Sequence, residues 1–106
     1  MTDLARATRA TFEPHVGEAF ATTLTVAETG EPLELAFVLE RVGAAGSAAP
    51  GEEAREPFSL QFRAAFAQVL PQAIYPLRHE RLGTLEIFLV PIGRDGDGVR
   101  YEAVFT

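Results

Sequence analysis

The sequence predicts a mainly β domain: a small antiparallel barrel or sandwich of five to six strands with a short N-terminal helix. Three stretches predict it. Phe58, Leu60 and Phe62 alternate with Ser59, Gln61 and Arg63. Leu85, Ile87 and Leu89 alternate with Thr84, Glu86 and Phe88. Val99, Tyr101, Ala103 and Phe105 alternate with Arg100, Glu102 and Val104. Successive side chains on a strand point to opposite faces, so a period of two marks one buried face and one wetter face. Gly, Pro and Asp between such runs are the punctuation of an antiparallel sheet. The competing fold is an α+β roll in which residues 64 to 71 form a helix over the sheet.

The elements follow in chain order. Thr2 can cap a short helix, with Asp3 in its first turn near the positive helix end. Leu4, Ala7 and Thr8 give it a weak apolar stripe, and it stops before Pro14 because the residue before a proline avoids the helical region. Phe12 to Phe20 is a linker, with Gly17 marking a turn or a close backbone approach. Phe20 to Glu28 is rich in Thr and Val and reads as the first strand. Gly30 and Pro32 supply turn chemistry. Leu33, Leu35, Phe37 and Leu39 then alternate with Glu34, Ala36, Val38 and Glu40, which completes a hairpin.

Residues 43–56 lack any large apolar side chain. Such a stretch cannot bury enough surface to offset its ordering entropy, so it reads as a flexible loop. Phe58 to Ala64 is the next strand. Ala64 to Leu70 is ambiguous and Pro71 ends it. Ala73 to His79 is a short strand containing Pro76, which cannot donate to a ladder, so an edge or a bulge is expected there. Thr84 to Pro91 is apolar on both faces at Phe88 to Val90 and is expected to be central. The Arg94-Asp95-Gly96-Asp97-Gly98 stretch is a hairpin loop, and Val99 to Phe105 is the last strand.

Composition narrows the function classes. A chain of 106 residues is one domain with one core, burying about 65% of its unfolded surface. It has no cysteine, which excludes disulfides, thiolate metal sites and cysteine catalysis. The formal net charge is −6, and all nine positive residues are Arg. An acidic domain repels phosphate backbones, so a nucleic acid is not an expected partner. The N-terminal stretch has no apolar core of signal-peptide length, and no run approaches the ~20 apolar residues of a membrane helix. The expectation is a soluble, cytoplasmic protein with no membrane partner.

A wider pattern emerges in the C-terminal half. It comprises Glu56-Pro57-Phe58-Ser59-Leu60-Gln61-Phe62, Leu70-Pro71-Gln72, Tyr75-Pro76-Leu77-Arg78-His79, Leu82-Gly83-Thr84-Leu85-Glu86-Ile87-Phe88-Leu89-Val90-Pro91-Ile92-Gly93 and Tyr101-Glu102-Ala103-Val104-Phe105. With Phe12, Gly17 and Phe20 upstream, this resembles an uncharacterised family of small bacterial domains, a domain of unknown function. Only the Ala44 to Arg55 segment lies outside the pattern and looks like an insertion. The resemblance implies no activity and no cofactor. It implies gene neighbourhoods near phage-tail-collar-like proteins, and so an accessory or assembly role.

Candidate chemistry is sparse. His79 is the best single site residue, because histidine titrates near neutrality and serves as acid, base or ligand. The blander reading is a histidine that ties a turn to a neighbouring backbone group. His15 is too distant in sequence to define a metal site with His79, and no third ligand stands at fixed spacing, so no metal is expected. Asp95-Gly96-Asp97-Gly98 resembles the opening of a calcium loop, but the bidentate Glu is missing and Asp-Gly is ordinary hairpin chemistry. Phe62, Phe66, Tyr75, Phe88, Tyr101 and Phe105 read mostly as core. Tyr75 and Tyr101 are exceptions: a buried tyrosine needs a partner for its hydroxyl, and an exposed one can grip a ligand.

The leading reading is a non-enzymatic structural or protein-interaction module. Its partner is another protein or a second copy of the chain, paired through a proline-bearing edge strand and the short last strand. One alternative is a small-molecule or carbohydrate-binding barrel using Gln72, Tyr75, His79 and Tyr101. Another is a small enzyme using His79 with a carboxylate such as Glu86. No cofactor and no catalytic residue is assigned.

Overall fold

The computed structural model describes residues 7–25, 27–44, 57–65, 69–96 and 98–105. A one-turn helix, α1 (Arg9–Phe12), runs into a 3-10 turn, η1 (Glu13–His15). Six strands follow: β1 (Ala19–Thr25), β2 (Pro32–Ala44), β3 (Phe58–Ala64), β4 (Ala73–His79), β5 (Gly83–Asp95) and β6 (Gly98–Phe105). They close into an antiparallel barrel in the order β1-β2-β3-β6-β5-β4. The barrel form of the predicted fold is therefore the one adopted. The helix expected from Thr2 falls partly outside the described residues. The described turn is capped by Thr8, whose N–H donates to Thr11 Oγ1. The helix of the α+β alternative concerns residues of which 66–68 lie outside the description, and so do residues 45–56 of the expected loop. At the near end of that loop, β2 runs on to Ala44.

Alternation decides which side chains fill the barrel. On β3, Phe58, Leu60, Phe62 and Ala64 are all fully buried between half-exposed neighbours. Leu85, Ile87 and Leu89 of β5 and Val99, Tyr101 and Ala103 of β6 face the same interior. Aromatic rings occupy much of it. Phe20 meets Phe62 edge-on at 5.4 Å, and Phe37 meets Tyr101 edge-on at 5.3 Å. These are favoured ring geometries. At one end Phe58 and Phe105 stack at 4.7 Å, and Phe12 of α1 packs against both, 5.9 Å from each, so the short helix serves as a plug.

Two bulges bend the sheet. Glu40 is the extra residue between the Leu39↔Phe62 and Arg41↔Gln61 pairs, and Ile92 the extra one between Pro91↔Tyr101 and Gly93↔Arg100. An inserted residue increases local twist, which helps a six-stranded sheet to close. Gly17 turns the chain into β1 with φ +92°, and its N–H donates to the Leu39 carbonyl at 2.6 Å.

Two expectations are corrected. The last strand is not at an edge, since β6 pairs along its length with β3 and through a bulge with β5. Phe88 is not in the core: it is 50% exposed on the outer face of β5. Apolar residues on both faces of a strand mean burial on both faces only where something covers the outer one. Among the described residues nothing covers Phe88.

The seam between β1 and β4 is thin. Its ladder consists of one Cα pair, Ala21↔Arg78. Pro76 lies on this strand, where one side of the ladder is nearly unused, as its missing N–H requires. Side chains reinforce the seam: Glu34 of β2 accepts from Arg78 of β4 at 2.6 Å and from the hydroxyl of Thr23 on β1.

Candidate functional site

His79 closes β4 and lies beside the seam, its side chain 3% exposed. The turn into β5 wraps around it. Its Nδ1 accepts the backbone N–H groups of Arg81 at 3.0 Å and Leu82 at 3.1 Å. An atom that accepts two donors carries no proton, so the ring proton sits on Nε2. From there it donates to Oε1 of Glu18 at 2.6 Å. The same carboxylate oxygen lies 2.8 Å from Nδ1 of His15. The two imidazoles meet edge-on at 4.6 Å, and the Phe20 ring covers His79 at 4.6 Å. Hydrogen bonds from His15 first and His79 second hold the Glu18 carboxyl below its ordinary range, against a smaller opposing effect of desolvation.

Local structure brings these three residues together. Pro14 sits in the first turn of η1, which suits its fixed φ and its missing N–H, and places His15 at the turn's end. Gly17 reverses the chain, so Glu18 returns beneath His15. The Leu39 N–H then donates to the Glu18 carbonyl at 3.0 Å and fixes that backbone against β2.

The donor atoms of His15, Glu18 and His79 lie within 4.8 Å of one another. Proximity alone suits a metal ion, but the proton does not. A neutral imidazole that ligates through Nε2 must carry its proton on Nδ1. Here two amide N–H groups already point at Nδ1. The trio is better described as a hydrogen-bonded clasp.

Of the four residues expected to form a binding site, Gln72, Tyr75 and Tyr101 lie together and His79 lies apart. Tyr75 and Tyr101 cluster at one end of the barrel. The Tyr101 hydroxyl accepts the Leu70 N–H at 2.9 Å, and the Tyr75 hydroxyl donates to the Pro71 carbonyl at 2.5 Å. Burial, and then the neighbouring Tyr101, pushes the Tyr75 hydroxyl above its ordinary range. Gln72 is exposed beside this anchor. His79 lies four residues along β4 from Tyr75, about 13 Å at the usual strand rise. Glu86 sits on the outer face of β5 opposite Pro76, so the carboxylate that meets His79 is Glu18 instead. Sequence reasoning missed Glu18. The available signal was the His15-to-Glu18 spacing of three, which a single tight turn brings together.

A surface depression of about 310 Å³ lies elsewhere, at the β2 bulge, lined by Glu40, Arg41, Gln61 and Arg100. Arg100 and Glu40 form an ion pair across it at 3.2 Å.

These features define a small six-stranded antiparallel barrel domain with buried apolar side chains in its interior and a histidine–carboxylate clasp at its seam. The chain belongs to the family DUF6916, a domain of unknown function, whose model matches residues 7–105. No curated protein and no solved structure matches it. No described helix is long and apolar enough to cross a membrane.

Proposed function

We propose that this domain is a non-enzymatic protein-interaction module that self-associates through the outer face of β4, β5 and β6. One observation carries the reading: an apolar row on that face. Ile74 and Phe88 are direct cross-strand partners, 63% and 50% exposed. Phe88 and Val104 each lie one same-face step beyond the Val90↔Glu102 pair, and Val104 is 55% exposed. Adjacent exposed apolar side chains on a barrel wall mark a contact surface. Arg78, Glu86, Arg100 and Glu102 share this outer face and offer both charge signs, which a two-fold axis can set against each other. The row is small beside a standard interface, so the association is weak, at roughly 100 µM and above.

The enzyme alternative is weakened because both ring nitrogens of His79 are engaged. The ligand-binding alternative is weakened because both tyrosine hydroxyls anchor the chain itself. A bacterial, cytoplasmic setting and an accessory role beside a phage-tail-like protein rest on the family resemblance and the composition.

Light scattering over a concentration series tests the proposal. The expected result is an average mass that rises with concentration for the natural chain and stays at one protomer for Phe88→Ser. A single-protomer mass for the natural chain at millimolar concentration would overturn it.

A further inference from the structure

The clasp has a chemical asymmetry that points to a use. His79 is fully engaged as a neutral ring: Nε2 donates to Glu18 and Nδ1 accepts the Arg81 and Leu82 amides. A second proton can enter only at Nδ1. There it would face two N–H donors, and both hydrogen bonds of the turn would be lost. The ring stands where the ladder between β1 and β4 has a single Cα pair. The Arg78–Glu34 pair and the Phe20 ring against His79 are the other contacts that hold this end of β4 at the seam.

We propose that His15, Glu18 and His79 form a proton-operated clasp, in which a second proton on His79 Nδ1 releases the β4–β5 turn from the barrel seam. The proton comes from solvent and adds to the Nδ1 lone pair. The ring becomes a cation, and the two amides are freed to bind water. The Nε2 bond to Glu18 survives that step as a charge-assisted pair. The turn therefore loosens while the ring stays held to Glu18 across the seam. Further acidification protonates Glu18 and removes the carboxylate that holds both rings.

The surrounding charges leave this control to the trio. His15 from η1 faces the same carboxylate oxygen, so two charged rings would repel across a single negative group. Glu13 of η1 pairs with Arg9, and Glu40 of β2 pairs with Arg100. Glu80 and Arg81 of the turn carry exposed side chains, as does Arg41 of β2. Phe20 of β1 presents a ring to His79 and no charge.

The test is a pH titration of the whole chain from 8 to 4, followed by amide and imidazole nitrogen NMR. The expected result is that the Arg81 and Leu82 amide signals shift with the His79 ring as it takes its second proton. Their protection factors, taken against the intrinsic exchange rate at each pH, then fall at least tenfold while the core amides of β3 stay protected. Three results would overturn the proposal. The Arg81 and Leu82 signals stay still while the His79 ring becomes doubly protonated. Every amide is lost in one step. Zinc added at pH 7 displaces the His79 ring proton and protects the turn, which would make the trio a metal site. His15→Gln provides a check that leaves the His79 turn intact. It is expected to move the pH of the shift without abolishing it, and an unchanged midpoint would remove His15 from the clasp.

Discussion

The hydroxyl of Tyr101 accepts the backbone N–H of Leu70 at 2.9 Å, across 31 residues of sequence. Tyr101 is fully buried, so this is an anchor made inside the protein and not a hydroxyl offered to a ligand. It fixes the segment that enters β4, and Tyr75 fixes the next carbonyl, that of Pro71. Tyr101→Phe leaves the ring packing intact and strands one buried N–H. The expected loss of stability is about 1–3 kcal/mol by chemical denaturation, the usual cost of an unmet buried donor.

Thr22 is the converse case. It is fully buried on β1, and its hydroxyl is the one described buried side-chain polar atom without a hydrogen-bond partner. Thr22→Val keeps the shape and removes the unmet group. The expected change is a gain of about 1 kcal/mol in unfolding free energy, since replacing an unpaired polar group by an apolar one of similar shape relieves its desolvation cost. The thermal midpoint reads this directly.

Gly98 opens β6 where no side chain fits. A β-carbon there would lie 2.4 Å from the Ala64 carbonyl oxygen and 3.0 Å from the Arg63 guanidinium carbon. Ala64 and Arg63 both lie at the end of β3, which pairs with β6 through Val99↔Ala64, so β3 would have to yield. Gly98→Ala is expected to cost about 1–3 kcal/mol, as overpacking does. Unfolding in urea measures it.

Two carboxylates reinforce the seam, and both are depressed below their ordinary value of 4.5. His15 is the main cause for Glu18, and the Thr23 hydroxyl is the main cause for Glu34. A depressed folded-state value means that the unfolded chain binds protons more readily. The stability these groups contribute is therefore present above pH 4.5 and is lost as pH falls below it. Glu18→Gln is expected to flatten that acid limb. Denaturation midpoints between pH 3 and 7 for both chains check the sign.

How much of this was legible in the sequence depends on the range of the interaction. Phe58 to Ala64 and Ala73 to His79 have the strand boundaries that the sequence predicts, because alternation and the flanking prolines are local signals. The turn role of His79 was legible for the same reason, since its amide donors are two and three residues away. The bond to Glu18 joins residues 61 apart and depends on a seam that no local pattern encodes. The strand order was hidden too: β6 lies between β3 and β5, which follows from barrel closure and not from its own residues. Phe88 misled because an exposed apolar row and a doubly buried strand look alike as a string of apolar letters.

The proposed contact surface for a second copy is the outer row of Ile74, Phe88 and Val104. Hydrogen exchange measured at low micromolar and at near-millimolar concentration tests it most directly. Slower exchange across β4 and β5 is expected in the concentrated sample, with β2 unchanged and the difference absent in Phe88→Ser. Identical exchange in β4 and β5 at both concentrations would contradict it.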